Sequence, residues 1–203
     1  RPAAGAARGA APKEINNKAI ITLKSNESVD LRKLERHFYT SSSCGVCGKT
    51  SVDFLRLAPL WKSLSTDWKV SFETLKKLPA KLRGQQAVFE STGGLHAASL
   101  FDNTGKILHL CEDVGRHNAL DKLIGWALQN NALPLNNYIL LLSGRASFEL
   151  IQKAVMAGVP LVAAVGAPSN LAVELAKEFN ISLIGFLKPD GFNIYNEGNC
   201  IEI

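Results

Sequence analysis

From residue 95 onward, apolar and polar positions follow one another in a regular order. Residues 95–101 and 107–110 have the period-two pattern of strands, and Asp102-Asn103-Thr104-Gly105 between them has the composition of a hairpin turn. A helical stretch is predicted over 118–128. Short apolar runs at 138–142, 161–165 and 182–187 have the length of buried strands. Between them lie two more helical stretches, 148–157, ended by Gly158 and Pro160, and 171–179, stopped by Asn180. Strands alternating with helices of this length require right-handed crossovers and a buried parallel sheet. The hairpin adds an antiparallel start, so the expected fold is a mixed α/β sheet with helices on both faces.

The first third of the chain is less regular. Residues 1–14 are rich in Ala, Gly and Arg and are expected to be a flexible lead. A short strand at 19–23 and a short helix at 31–38 are predicted next, and Thr40-Ser41-Ser42-Ser43 then leads into Cys44-Gly45-Val46-Cys47-Gly48. A run this dense in Ser and Gly is a loop. Ser71 is placed to cap a helix carrying Leu75, Leu78, Leu82 and, further on, Phe89, with Pro79 as a point of kinking or division and Thr92-Gly93-Gly94 as its end. The expected domains are the lead, a small partial N-terminal domain over 15–70 with the Cys-x-x-Cys loop, and an α/β domain over 71–203.

Composition narrows the function classes. Apolar residues make up 46% and charged residues 20% of 203, the proportions of an ordinary globular protein. The formal charge of +5 suits an anionic ligand. Aromatic content of 7% with no basic cluster argues against a nucleic-acid module. The apolar runs fall far short of the roughly 20 residues that cross a bilayer, and residues 1–11 lack the apolar core of a signal peptide, so a cytoplasmic protein is expected. Four cysteines are too few for a disulfide framework.

The chemistry is predicted at the carboxyl ends of the strands, where loop amides and helix N-termini converge in open α/β sheets. Residues 112–117, 143–147 and 166–170 each enter a helix through a short polar loop, and Lys188-Pro189-Asp190-Gly191 reaches the same rim. Arg116 and Arg145 add two guanidinium groups. A phosphate-bearing anion fits this rim, although Gly and Ser also serve plain tight turns and arginines are often merely solvated. There is no Gly-x-Gly-x-x-Gly fingerprint, Walker loop or Gly-x-Ser-x-Gly elbow. Glu112 and Asp113 are read as capping the next helix or pairing with Arg116 rather than as an acid/base pair. Cys44 and Cys47 have three readings. Zinc needs two more ligands, and Cys111, Cys200, His37, His96, His109 and His117 are scattered singly. A redox couple is expected at a helix start that follows a strand, which this loop does not provide. A thiolate on a Gly-flanked arm that relays sulfur or an acyl group is the third.

Taken together, Cys44-Gly45-Val46-Cys47-Gly48, Thr92-Gly93-Gly94-Leu95-His96-Ala97-Ala98, the run from Glu112-Asp113-Val114-Gly115-Arg116-His117 to Asn118-Ala119-Leu120-Asp121-Lys122, and Ser143-Gly144-Arg145-Ala146-Ser147-Phe148-Glu149 resemble the FdhD family of sulfur carriers needed for formate dehydrogenase activity. The resemblance implies a sulfurtransferase that takes persulfide sulfur from a cysteine desulfurase and passes it to a bis(molybdopterin guanine dinucleotide) molybdenum cofactor. It implies Cys44 as the persulfide carrier, Cys47 as its companion, and Phe186, Leu187, Lys188, Pro189, Asp190 and Gly191 as contacts of the guanine dinucleotide. Ser143, Gly144, Arg145, Ser147, Arg116 and His117 complete the expected site, with GDP as a fragment of the ligand and a homodimer offering one site per arm.

The resemblance also implies a three-layer fold similar to cytidine deaminases. Those enzymes place His-x-Glu at one helix start and Pro-Cys-x-x-Cys at the next. Here the corresponding residues are His117-Asn118-Ala119 and Ser143-Gly144-Arg145-Ala146-Ser147, with neither the Glu nor a Cys, so deamination and an intrinsic zinc are not expected. A different reading keeps a non-catalytic chaperone that binds the cofactor and uses the Cys-x-x-Cys for metal or redox chemistry.

Overall fold

The computed structural model describes residues 13–15, 18–20 and 66–202. The chain divides into two compact units, Arg1–Phe54 and Leu55–Ile203. In the first, β1 (Lys13–Ile15) and β2 (Lys18–Ile20) pair antiparallel. The helix expected at 31–38 and the loop carrying Cys44 and Cys47 lie outside the described residues.

The second unit begins with α1 (Phe72–Arg83), capped by Ser71, whose Oγ accepts from the Thr74 amide at 3.2 Å. Leu75, Leu78 and Leu82 recur at helical spacing and are buried. Pro79 sits inside this helix without ending it. The division comes at Gly84 instead, after which α2 (Ala87–Thr92) runs to Gly93, whose φ of +67° is the left-handed cap that glycine adopts without strain.

Six strands form the sheet of this unit: β3 (His96–Phe101), β4 (Ile107–Asp113), β5 (Ile139–Leu142), β6 (Leu161–Ala164), β7 (Ser182–Gly185) and β8 (Asn193–Asn196). Their order is β4-β3-β5-β6-β7-β8, with β5, β6 and β7 parallel and the outer pairings antiparallel, which is the mixed sheet expected. The hairpin turn is as composed: Asp102 Oδ1 accepts from the amides of Thr104 and Lys106, both at 2.9 Å. Three helices connect the rest, α3 (Arg116–Gln129), α4 (Phe148–Met156) and α5 (Asn170–Glu178).

The pleat sorts the apolar residues into two layers. Phe101, Ile139, Leu141, Leu161, Ala163 and Ile184 meet Leu75, Leu78 and Leu82 of α1 in one core. Their alternates Leu100, Leu140, Leu142, Val162, Ala164 and Leu183 are buried on the other face, the side of α3, α4 and α5. Helices therefore cover both faces, unevenly among the described residues. No helix of the described residues is long and apolar enough to cross a membrane.

Several elements differ from the pattern, among them β1, a strand that overlaps the end of the expected lead. β4 continues to Asp113, past residue 110, because each added residue pairs with β3 up to Asp113 opposite His96. β7 stops at Gly185, since Phe186 takes a φ of +53° that no strand accommodates. β8 is not predicted by the pattern: Asn193-Ile194-Tyr195-Asn196 is a polar-flanked strand at the end of this sheet, paired with β7.

Candidate functional site

Because β3 runs antiparallel to β5, its first residue, His96, lies where β5, β6 and β7 finish, and the last residue of β4 pairs with it. The turns after β4, β5, β6 and β7 thus gather on one edge. Backbone hydrogen bonds tie them from strand to strand. Ser143 N–H donates to Ala97 O at 3.0 Å while Ser143 Oγ accepts from Ala97 N–H at 2.7 Å. Gly166 N–H donates to Gly144 O at 2.9 Å, Ala146 N–H to Ala167 O at 3.2 Å, and Phe186 N–H to Gly166 O at 3.2 Å. A Cβ on Gly166 would stand 3.0 Å from Arg145 Cα, so only glycine lets the two loops approach this closely.

At the start of α4 this framework exposes Arg145 and turns Ser147 aside. Ser147 is the N-cap residue by backbone but makes no side-chain cap bond. Its Oγ lies 3.1 Å from Nε2 of His117 in the first turn of α3, and Glu149 Oε2 lies 3.8 Å from the same nitrogen. Burial pushes the His117 pKa below its ordinary value; the charge of Arg116 adds to this and Glu149 opposes it. At neutral pH the imidazole is therefore uncharged, able to accept from the Ser147 hydroxyl or to donate to it according to tautomer. Arg116 has its Nε buried without a hydrogen-bond partner.

The segment after β7 completes the edge. Phe186 is 42% exposed despite its left-handed backbone, a combination of strain and exposure that is uncommon for an aromatic residue. Leu187 turns inward: it is fully buried in the α1-side core, and its N–H donates to Ala164 O at 3.0 Å. It anchors the segment rather than facing solvent. Lys188 and Gly191 close a tight turn through Lys188 N–H to Gly191 O at 2.9 Å and Gly191 N–H to Lys188 O at 3.3 Å, leaving Lys188, Pro189 and Asp190 exposed.

Glu112 and Asp113 have structural partners, and of the two only Asp113 holds the start of the next helix, as expected of both. Asp113 pairs with Lys122 rather than Arg116, and its Oδ1 accepts from Gly115 N–H at 2.9 Å and Asn118 Nδ2 at 3.1 Å. The Lys122 hydrogen bond, with help from the Gly115 amide, holds its carboxyl down at about 2. Glu112 caps the preceding α2 rather than the following helix, its oxygens accepting from the amides of Val88 at 3.2 Å and Phe89 at 3.0 Å. Their side chains are spent on helix ends.

Two residues that look scattered in sequence meet elsewhere. His109 stacks on Trp126 with ring centroids 4.0 Å apart, and Cys111 Sγ lies 3.5 Å from His109 Nε2. Burial raises the thiol and lowers the imidazole, so both are uncharged near neutrality. Among the described residues, no three His, Cys, Asp or Glu side chains gather as metal ligands.

Comparison with known proteins agrees with this architecture. The chain is 56% identical over 163 residues to the sulfur carrier protein FdhD of Streptomyces coelicolor, covering 80% of this chain and 58% of that protein. It is 47% identical over 197 residues to that of Mycobacterium tuberculosis, covering 97% and 70%, and 40% identical over 189 residues to that of Saccharolobus solfataricus, covering 93% and 70%. A crystal structure of a formate dehydrogenase accessory protein from Desulfotalea psychrophila superposes with a TM-score of 0.63 at 28% identity, over 73% of this chain and 61% of that one. The FdhD/NarQ family matches residues 9–202, and the chain belongs to it.

Proposed function

We propose that the protein is a sulfurtransferase that carries persulfide sulfur from a cysteine desulfurase to a bis(molybdopterin guanine dinucleotide) molybdenum cofactor, in support of formate dehydrogenase. The relatives named sulfur carrier protein FdhD support the sulfur-carrier role, and the similar solved structure, a formate dehydrogenase accessory protein, supports the formate dehydrogenase connection. The observation that carries the ligand side is the rim: Arg145 exposed on a braced loop, Ser147 and His117 paired beside it, and Phe186 exposed on the segment after β7. In this reading Ser143, Gly144, Arg145 and Ser147 receive the diphosphate with Arg116 and His117. Phe186, Lys188, Pro189, Asp190 and Gly191 cover the guanosine.

The sulfur step needs only thiol chemistry. The Cys44 thiolate attacks the terminal sulfur of the desulfurase persulfide, forming a Cys44 persulfide and releasing the desulfurase thiolate. Cys47 assists the onward release by attacking the inner sulfur of the Cys44 persulfide, which forms a Cys44–Cys47 disulfide and frees the outer sulfur as hydrosulfide for the cofactor; a thiol reductant then restores both cysteines. The client's two guanosine arms suit a cytoplasmic homodimer with one arm site per subunit and a deaminase-type fold that has lost its zinc, so no intrinsic metal is needed. Mass spectrometry of the protein after incubation with desulfurase and cysteine tests the relay. A gain of one sulfur mapped to Cys44 supports it, and an unmodified Cys44 favours a non-catalytic chaperone in which the Cys-x-x-Cys serves metal or redox chemistry.

A further inference from the structure

At the Arg145 loop, the guanidinium groups of Arg116 and Arg145 and the positive end of α4 all favour an anion. Glu149, in the first turn of the same helix, stands against one. An acid in a first turn suits the helix dipole, but this carboxylate also has a partner across the helix interface. Its Oε2 lies 3.8 Å from His117 Nε2, and the two side chains are largely buried, Glu149 keeping 21% and His117 32% of their exposure. Asp121, the acid of α3 nearby, is paired with Lys153 of α4 instead.

His117 Nε2 thus faces a hydroxyl and a carboxylate at once. Arg116 on α3 and Lys153 on α4 disfavour a proton there, whereas Glu149 on α4 and Asp121 on α3 favour one, and burial tips the balance to the uncharged ring. Asp113 at the end of β4 is committed to Lys122, and His96 at the head of β3 lies against the loop, where a Cβ on Gly144 would stand 3.2 Å from its Nδ1. The state of the ring decides what Ser147 can do. With Nε2 bare, the Ser147 hydroxyl donates to it and has no proton left for an anion. With Nε2 protonated, the ring donates to Ser147 Oγ and the hydroxyl proton turns outward. Glu149 then faces a cation, which offsets its repulsion of an incoming anion.

We propose that ligand capture at this rim is coupled to one proton: an anion seated at the Arg145 loop draws a proton from solvent onto His117 Nε2, which releases the Ser147 hydroxyl to donate to the anion. Glu149 is the positioning residue of this device, acting through His117 to set the pH at which the proton arrives. The proposal rests on the nucleotide reading of the rim and names its regulation. When the ligand leaves, the ring returns its proton to solvent and Ser147 turns back to Nε2. Mildly acidic conditions therefore favour loading, and alkaline conditions favour release.

GDP titrations of the full chain between about pH 8 and about pH 6 test the coupling, with the pH profile of affinity as the readout. Relative to His117→Gln, the parent is expected to gain about tenfold in GDP affinity over this range, the effect of a nearby anion raising the ring by about one pKa unit. The variant keeps only the ligand's own titration, in which the terminal phosphate takes up a proton and binding weakens on acidification. Glu149→Gln should tighten GDP about threefold at about pH 8 and move the midpoint of the rise to lower pH, because the ring loses a charge that favours its proton. A merely structural role for Glu149 would leave that midpoint in place. Parallel profiles for the parent and His117→Gln, an unmoved midpoint in Glu149→Gln, or a rise lost in His96→Gln and kept in His117→Gln overturns the coupling and leaves the rim standing. Where His117→Gln binds too weakly to profile, the Glu149→Gln midpoint decides. No GDP binding by the parent at any pH overturns the nucleotide reading as well.

Discussion

Two neighbouring loops of this sheet edge are built alike and do different things. Residues 143–147 follow β5 and residues 165–169 follow β6; each ends in a serine at a helix N-cap, and an isolated parallel bridge joins Ala146 to Pro168. Ser169 caps its helix, its Oγ accepting from Ala172 N–H at 3.3 Å. Ser147 does not cap; it meets His117. The second loop carries Ala167 and Pro168 where the first carries Arg145 and Ala146, so it holds no charge. One loop is scaffold and the other is the proposed site, and the scaffold loop is what fixes its neighbour in place, through Gly166 against Arg145.

That division of labour is open to attack. The largest effect is expected from Gly166→Val, whose side chain would collide with the Arg145 backbone; a stability loss of about 3 kcal/mol in urea unfolding is predicted, with GDP binding lost alongside. Ser169→Ala should cost about 1 kcal/mol, the value of a serine N-cap. Ser147→Ala should cost less, about 0.5 kcal/mol, since only its hydrogen bond to His117 is removed and the cap of α4 is not. Equal costs for the two serines would contradict the comparison. The smallest effect concerns pH. His117 has a folded pKa below its ordinary value of 6.5, so the unfolded chain binds more protons in that interval, and stability must rise with pH through it and fall on acidification below 6.5. His117→Gln should flatten this part of the stability–pH curve, leaving the share due to His109, which burial lowers in the same sense.

Much of the fold is legible in sequence where burial is complete. The runs Ile139–Leu142 and Leu161–Ala164 are apolar throughout and agree with their predicted strands to within a residue at each end. β8 is not legible, because at an edge its pairing with β7 stabilises a segment whose own composition is polar. The site is legible only as far as its loops. The Ser147 and Ser169 positions look equivalent in sequence, and what separates them is an imidazole arriving from thirty residues earlier in the chain. Asp113 and Glu112 read as structural in sequence, yet their partners Lys122, Val88 and Phe89 are set by the antiparallel hairpin and the helices around it.

The central proposal is that this sheet edge recognises a guanine nucleotide, the Arg145 loop at the diphosphate and residues 186–191 at the guanosine, and calorimetry with GDP and ADP tests it most directly. The parent protein is expected to bind GDP more tightly than ADP, with affinity that falls as salt rises, and Arg145→Ala is expected to weaken GDP by about 1.5–3 kcal/mol, the scale of a hydrogen bond to a charged group. Equal affinity for the two nucleotides, or unchanged GDP affinity in Arg145→Ala, would contradict it.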